Sequence, residues 1–320
     1  MTLRFKFLGK FSTSTALLSV ALILLITTQQ GHTHAVLDRR VAAPQQTIHL
    51  SIGIGHGCEG SATTEIHLSV PEGLIVTGVD QNDAFKVETQ EAPFAKEWAG
   101  PQGALKKGIN KIIWSKGLLE DKKRAEFGFQ VYLSADLKPS QILALPVIQK
   151  CQTGETHWVE QAATDEARQA LKSPAPLLYI VNEQQAHLDI RNARTRLPPP
   201  SAPVAGGYLT IRNWSDRPDR LIAATLRVAD HVEIHEMVMT DGVMRMRALE
   251  KGLPVQANDI TELKPGSYHL MFMKPVRPFT VGEWLEGTLT FERAGQIDVR
   301  FKVEAMGPQQ PAQGHEKHAH

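Results

Sequence analysis

The sequence predicts an all-β protein: two β-sandwich domains in series after a signal peptide. Three observations carry that expectation. From about residue 36 to 305 the apolar residues fall in short runs rich in Ile, Val, Thr and aromatics, with partial period-two alternation. Turn residues such as those of "VPEGL" and "SKG" separate the runs, and long helical patterns that could cross over a parallel sheet are lacking. At 320 residues the chain exceeds one ordinary small domain, and a polar break at "NEQQA" divides it.

Taken in order, the chain begins with three positive charges in "MTLRFKFLGK", followed by the apolar run Ala16 to Ile26. That run is about half of the ~20 residues a membrane-crossing helix needs. It reads as a secretory signal peptide over residues 1–33, which places the mature protein in the periplasm or otherwise outside the cytoplasm. Cleavage after Thr33 leaves His34 as the new N-terminus; cleavage after Ala35 removes it. The only cysteines, Cys58 and Cys151, read as one disulfide bond in an oxidising compartment. A dithiol metal site is the alternative, without the C-x-x-C spacing that favours it.

Residues 34–182 form the first predicted domain. Its strand candidates are "TIHLSIGIG", "TTEIHLSV", "NKIIWS", "EFGFQVYLS" and, closing the unit, "PLLYIV". One short helix is expected over Thr164–Ser173, capped by Thr164. The second domain covers residues 187–306. After the stiff "RLPPPSAPVAGG" segment come "YLTIRNW", "LIAATLRV", "HVEIHEMVM", "VMRMRAL", "SYHLMFM", "LEGTLTF" and "QIDVRFKVEA". Residues 307–320 are too polar to build a core and read as a disordered tail, whose His315, His318 and His320 can catch metal weakly.

A net charge of +1 gives no reason to expect nucleic acid or an anionic membrane as partner, and no basic run with interleaved aromatics is present. The glycines of "GIGHGCEG" lack the following helix that a phosphate loop requires. Hydrolytic and phosphoryl-transfer motifs do not stand out.

Chemistry concentrates in "HEMVMTDGVMRMR", His235 to Arg247, which holds four of the eight methionines. Side chains alternate faces along a strand. In "HVEIHEMVM", Val232, Ile234 and Val238 share one face, while His235, Met237 and Met239 share the other. In "YHLMFM", Tyr268, Leu270 and Phe272 oppose His269, Met271 and Met273. The aliphatic and aromatic faces suffice for a core, so the His/Met face is a second surface. An Asp241-Gly242 hairpin turn would pair Met239 with Met244 and Met237 with Met246, leaving His235 diagonal to Met246. Thioethers are soft, uncharged donors that select Cu(I), and imidazole adds affinity. A Met stripe that merely packs is the competing reading.

These residues resemble the PCuAC family of periplasmic copper chaperones. The family's pattern of His, ten residues, Met, about twenty-one residues and His-x-Met is matched by His235, ten residues to Met246, twenty-two to His269, then Met271. "GGYLTIRNWSDRPDRLIAA" extends the likeness over about residues 187–306. The resemblance implies a cupredoxin-like β-sandwich, a primary copper site at His235, Met246, His269 and Met271, and a role in supplying the Cu(A) centre of cytochrome oxidase. Met237, Met239, Met244 and Met273 then surround or pack the site.

Residues 34–182 resemble YcnI-like domains through "HAVLDRRVAAPQQTIHLSIGIGHGCEGSATTEIHLSVPEGL", "INKIIWSKG" and "CQTGETHWVE". That likeness implies a second β-sandwich and a Cu(II) site at the mature N-terminus, formed by His34 with a carboxylate and a tryptophan. Cys58 stands where many relatives have glutamate, which leaves Glu59 as the carboxylate; Trp158 is the first candidate for the aromatic and Trp114 the second. His56 reads as a loop residue near the disulfide. The expected function is an extracytoplasmic copper-binding metallochaperone, not an enzyme, that delivers its metal by ligand exchange to a copper-recipient protein, an oxidase subunit or another copper chaperone. Neither nucleic acid nor membrane insertion after signal cleavage is expected. The alternatives are a copper redox protein, an N-terminal-histidine copper enzyme and a metal-free interaction module.

Overall fold

The computed structural model describes residues 34–199, 202–240 and 243–305. The expected signal peptide, the Asp241-Gly242 turn and the His-containing tail lie outside the described residues. Among the described residues no helix is long and apolar enough to cross a membrane.

The first half is built from β1 (Val36–Leu37), β2 (Val41–Ala42), β3 (Thr47–Ile54), β4 (Thr63–Ser69), β5 (Leu74–Val79), β6 (Lys86–Gly100), β7 (Gly103–Ser115) and β8 (Ala125–Leu133). It continues with β9 (Ile142–Ala144), β10 (Val147–Cys151), β11 (Glu155–Trp158), α1 (Asp165–Gln169) and β12 (Leu177–Ile180). A sheet of order β1-β3-β8-β5, a sheet of order β11-β10-β4-β7-β6 and a small sheet β2-β12-β9 enclose one hydrophobic core. Alternation explains the packing. Phe127, Phe129, Val131 and Leu133 all point inward from β8 and are fully buried. Burying a side chain of that size contributes roughly 1.5–3 kcal/mol.

Two expectations change here. The helix is only Asp165–Gln169, capped by the Thr164 hydroxyl, which accepts from the Ala167 N–H. It ends early because Glu160 draws the chain back: its N–H donates to the Ser173 carbonyl at 3.1 Å and its carboxylate accepts from the Ser173 N–H at 2.5 Å. The long β6–β7 ribbon was foreshadowed only by "NKIIWS". Its remainder is mostly charged, small or exposed, and it carries Pro93, so it lacks the apolar signal of a strand.

The second half comprises β13 (Leu188–Arg196), β14 (Val204–Asn213), β15 (Asp219–Leu226), β16 (Ala229–Thr240) and β17 (Val243–Ala248). β18 (Leu253–Val255), β19 (Ile260–Leu263), β20 (His269–Pro275), β21 (Trp284–Phe291) and β22 (Gly295–Glu304) complete it. Strand pairing runs continuously in the order β17-β16-β20-β14-β13-β22-β21-β15-β18, with β19 on the far part of β14. The strands fold over a second core of their own, which includes Leu209, Ile211, Leu270, Phe272, Phe291 and Phe301. Both halves are thus all-β sandwiches, as the strand patterns predict.

A buried carboxylate ties the halves together. Asp189, 1% exposed, accepts from the Arg40 Nη2 at 2.8 Å and from the guanidinium of Arg191. Arg40 also donates to the Ile190 carbonyl at 2.8 Å, and Arg191 reaches back to the Asp38 carbonyl. Arg39 donates to the Ala186 carbonyl at 3.0 Å.

Candidate metal centre

β20 lies between β14 and β16, and its alternation divides two environments. Leu270 and Phe272 are fully buried on the core side, where they pair with Ile234 and Val232 of β16. On the opposite side the register pairs His235 with His269, Glu233 with Met271, and His231 with Met273. The β16–β17 hairpin then pairs Met237 with Met246 and Met239 with Met244, with His235 opposite Ala248 and so diagonal to Met246. The cross-strand partners expected from an Asp-Gly turn are therefore those observed.

The four residues of the primary site differ in exposure. His269 is buried, His235 and Met271 are half-buried, and Met246 is 49% exposed on the edge strand. Met239 and Met244 are also exposed, Met237 and Met273 half-buried. These methionines belong to the outer face rather than to the core.

The two imidazoles have centroids 5.9 Å apart with planes tilted by 57°. A ring nitrogen about 2.0–2.1 Å from a metal puts its centroid roughly 3.2 Å away, so two rings sharing one ion have centroids at most ~6.4 Å apart. The observed separation lies inside that limit.

Neighbouring acceptors fix which nitrogen of each neutral ring is free. His269 Nδ1 lies 2.9 Å from the Ser267 carbonyl, which can only accept, so Nδ1 carries the hydrogen and Nε2 the lone pair. His235 Nε2 lies 2.6 Å from a Glu233 oxygen, so its lone pair falls on Nδ1, which is buried with no hydrogen-bond partner. Hydrogen bonds from His235 and then His231 hold the Glu233 carboxyl below the usual range. His231, between Asp230 and Glu233, is raised by those two hydrogen bonds.

β14 completes the face. Gly206 pairs with Met271, and a Cβ there would stand 2.5 Å from the Tyr208 hydroxyl, so the absent side chain makes room for that phenol beside the methionine. Sequence reading missed Glu233 and Tyr208. Glu233 was detectable as the residue two before His235 on the same strand face, but Tyr208 needed the pairing of β14 with β20.

In the first domain the Cys58–Cys151 disulfide is present, across 93 residues of sequence. Trp158 is buried, and His34 approaches it edge-on with ring centroids 5.8 Å apart. Trp114 is instead a fully buried core residue packed on Phe127, with centroids 5.4 Å apart. Glu59 sits in an exposed turn with φ of 50°. From that loop the side chain that meets Trp158 is His56, with centroids 6.0 Å apart.

Comparison with known proteins divides the chain at the same place. Residues 34–180 match the family model described as "Domain of unknown function (DUF1775)", and residues 188–303 match the one described as "Putative lipoprotein LpqE-like". The "Putative lipoprotein Lxx21020" of Leifsonia xyli subsp. xyli is 27% identical over 101 residues, 32% of this chain; the chain spans 61% of that relative's length. Among solved structures, the copper-bound PCuAC domain from PmoF2 is 25% identical, over 38% of this chain and 94% of that one, with a TM-score of 0.33. The Cu(I) form of DR1885 from Deinococcus radiodurans is 27% identical, over 36% of this chain and 76% of that one, with a TM-score of 0.30. The chain is thus similar to two families in tandem, a DUF1775 domain followed by an LpqE-like domain.

Proposed function

We propose that the second domain is an extracytoplasmic copper carrier that binds Cu(I) through His235, Met246, His269 and Met271. The observation that supports this most directly is the pairing of His235 with His269 on a sheet face that turns its thioethers away from the core. Soft sulfur with neutral imidazole favours Cu(I) over hard cations. A carrier reading suits an edge position, because a recipient's donors can replace Met246 first while the half-buried ligands still hold the ion. Both cysteines form the disulfide, so no thiolate is left to make a blue-copper electron-transfer site. On this reading the protein moves metal by ligand exchange rather than transforming a substrate, with the Cu(A) centre of cytochrome c oxidase as the destination.

Native mass spectrometry of the secreted protein under reducing conditions tests the proposal. One Cu(I) bound at the second domain is expected, with transfer to an apo Cu(A) domain on mixing. Unchanged Cu(I) affinity after M246L and M271L together rules the site out.

A further inference from the structure

The β16–β17 hairpin carries more sulfur than the four-residue site uses. Met237, Met239 and Met244 lie on it beside Met246, with Met239 opposite Met244 and Met237 opposite Met246. Direct partners in an antiparallel pair share a face, and so do residues two apart along a strand. Two successive rungs of one face are therefore thioether against thioether. The other face holds the charges: Glu236 opposes Arg247 and accepts from its guanidinium, and Val238 opposes Arg245.

The ladder fixes how close these rungs are. The Leu249 N–H donates to the Ile234 carbonyl at 2.7 Å, so Ile234 and Leu249 form a hydrogen-bonded pair. The two kinds of pair alternate, and non-hydrogen-bonded partners have Cα atoms about 4.5 Å apart against about 5.5 Å in the other kind. Counting along the register from Ile234, Met237–Met246 and Met239–Met244 both fall in the closer kind. Met237 is diagonal to Met244, at the roughly 7–8 Å that long side chains span. Methionine is unbranched and turns about three bonds, so Met237, Met239 and Met244 can bring their sulfurs to one point. Packing does not account for them: Met239 is 63% exposed and Met244 44%.

We propose that Met237, Met239 and Met244 bind a second Cu(I) ion at the outer part of the hairpin, a station through which copper enters or leaves the His235–His269 site. Three soft, uncharged sulfurs without a carboxylate among them favour Cu(I) over hard cations. Met246 stands opposite Met237 and diagonal to His235, so the ion passes inward by exchanging one thioether at a time, with no change of oxidation state. That route rests on the carrier reading, whereas the thioether site does not. The station lacks imidazole and must order exposed side chains on binding, so it fills after the four-residue site, at least about tenfold more weakly.

The test follows the methionine methyl groups of the isotope-labelled secreted protein by nuclear magnetic resonance during anaerobic titration with Cu(I). The first equivalent is expected to move Met246 and Met271, and the second to move Met237, Met239 and Met244 and then saturate. In H235Q/H269Q the three outer methyls should still respond, and Zn(II) should leave them in place. M239L/M244L, which conserves side-chain volume, should lose the second ion and keep the first. Outer methyls that move together with the first equivalent, stay silent in H235Q/H269Q or shift without saturating overturn the proposal, as does a second ion retained by M239L/M244L. Failure of the carrier reading looks different: Met246 and Met271 stay unmoved at the first equivalent, while the outer methyls of H235Q/H269Q remain a separate readout.

Discussion

Replacing Met271 by leucine should weaken Cu(I) binding about tenfold more than the same change at Met246. The two sulfurs are chemically alike, but the fold treats them differently. Met271 lies in the middle of the sheet, with Glu233 on one side, Gly206 on the other and the Tyr208 phenol close by, and is half-buried. Met246 lies on the edge strand and is 49% exposed. Fixing a free methionine side chain costs up to about 1.5–2 kcal/mol of rotamer entropy, most of which Met271 has already lost on folding. The same copper–sulfur bond therefore yields about 1.5 kcal/mol less at Met246, roughly a factor of ten in affinity. Leucine conserves volume, so neither variant should lose more than about 1.5 kcal/mol of stability. The assay is anaerobic competition against a chromogenic Cu(I) chelator, with a thermal melt of each apo variant. Equal losses, or a larger loss at Met246, would refute the reasoning.

Asp189→Ala should destabilise the protein by about 3 kcal/mol, because it strands the charges of Arg40 and Arg191 beside a buried position; chemical denaturation measures it. Removing the disulfide as C58S/C151S should cost the first domain up to about 4.7 kcal/mol by the chain-entropy relation for a separation of 93 residues, read from urea unfolding. Gly207→Ala puts a Cβ 2.4 Å from the Phe272 ring, which must shift under β20 at a cost of about 1–3 kcal/mol, read from the melting temperature. Burial, and then Arg39 and Arg293, hold His187 below its ordinary value of 6.5, so it binds protons more readily when unfolded. Its contribution to stability is present above pH 6.5 and is lost as pH falls through the depressed folded value; H187Q should flatten that part of the stability–pH curve.

The second domain's site was legible because it is written in strand alternation. His235, Met237 and Met239 share a face by period two, an Asp-Gly pair in the sequence predicts the register that the flanking strands show, and Val232 and Ile234 declare which side is core. Glu233 obeys the same alternation, yet its hold on His235 depends on side-chain geometry that no spacing encodes. The surroundings of Trp158 in the first domain were less legible because segments converge there from distant parts of the chain. His56 is placed by Gln149 and by Cys151, each more than ninety residues away in sequence, so local patterns left it as an ordinary loop histidine. Asp189 was hidden for a related reason: its partner Arg40 lies 149 residues away, and a single acidic residue in a strand pattern gives no sign of it.

β17 is an edge strand with every side chain exposed, and Arg245 and Arg247 interrupt its methionines. Such an edge invites other chains to add to the sheet, and charged residues along it discourage that. The same placement governs tempo. An exposed thioether can swing between rotamers in picoseconds to nanoseconds, whereas opening a packed domain takes microseconds or longer. Departure of the cargo can then be timed by encounter with the acceptor, and a viscosity-dependent transfer rate with no lag would be its kinetic signature.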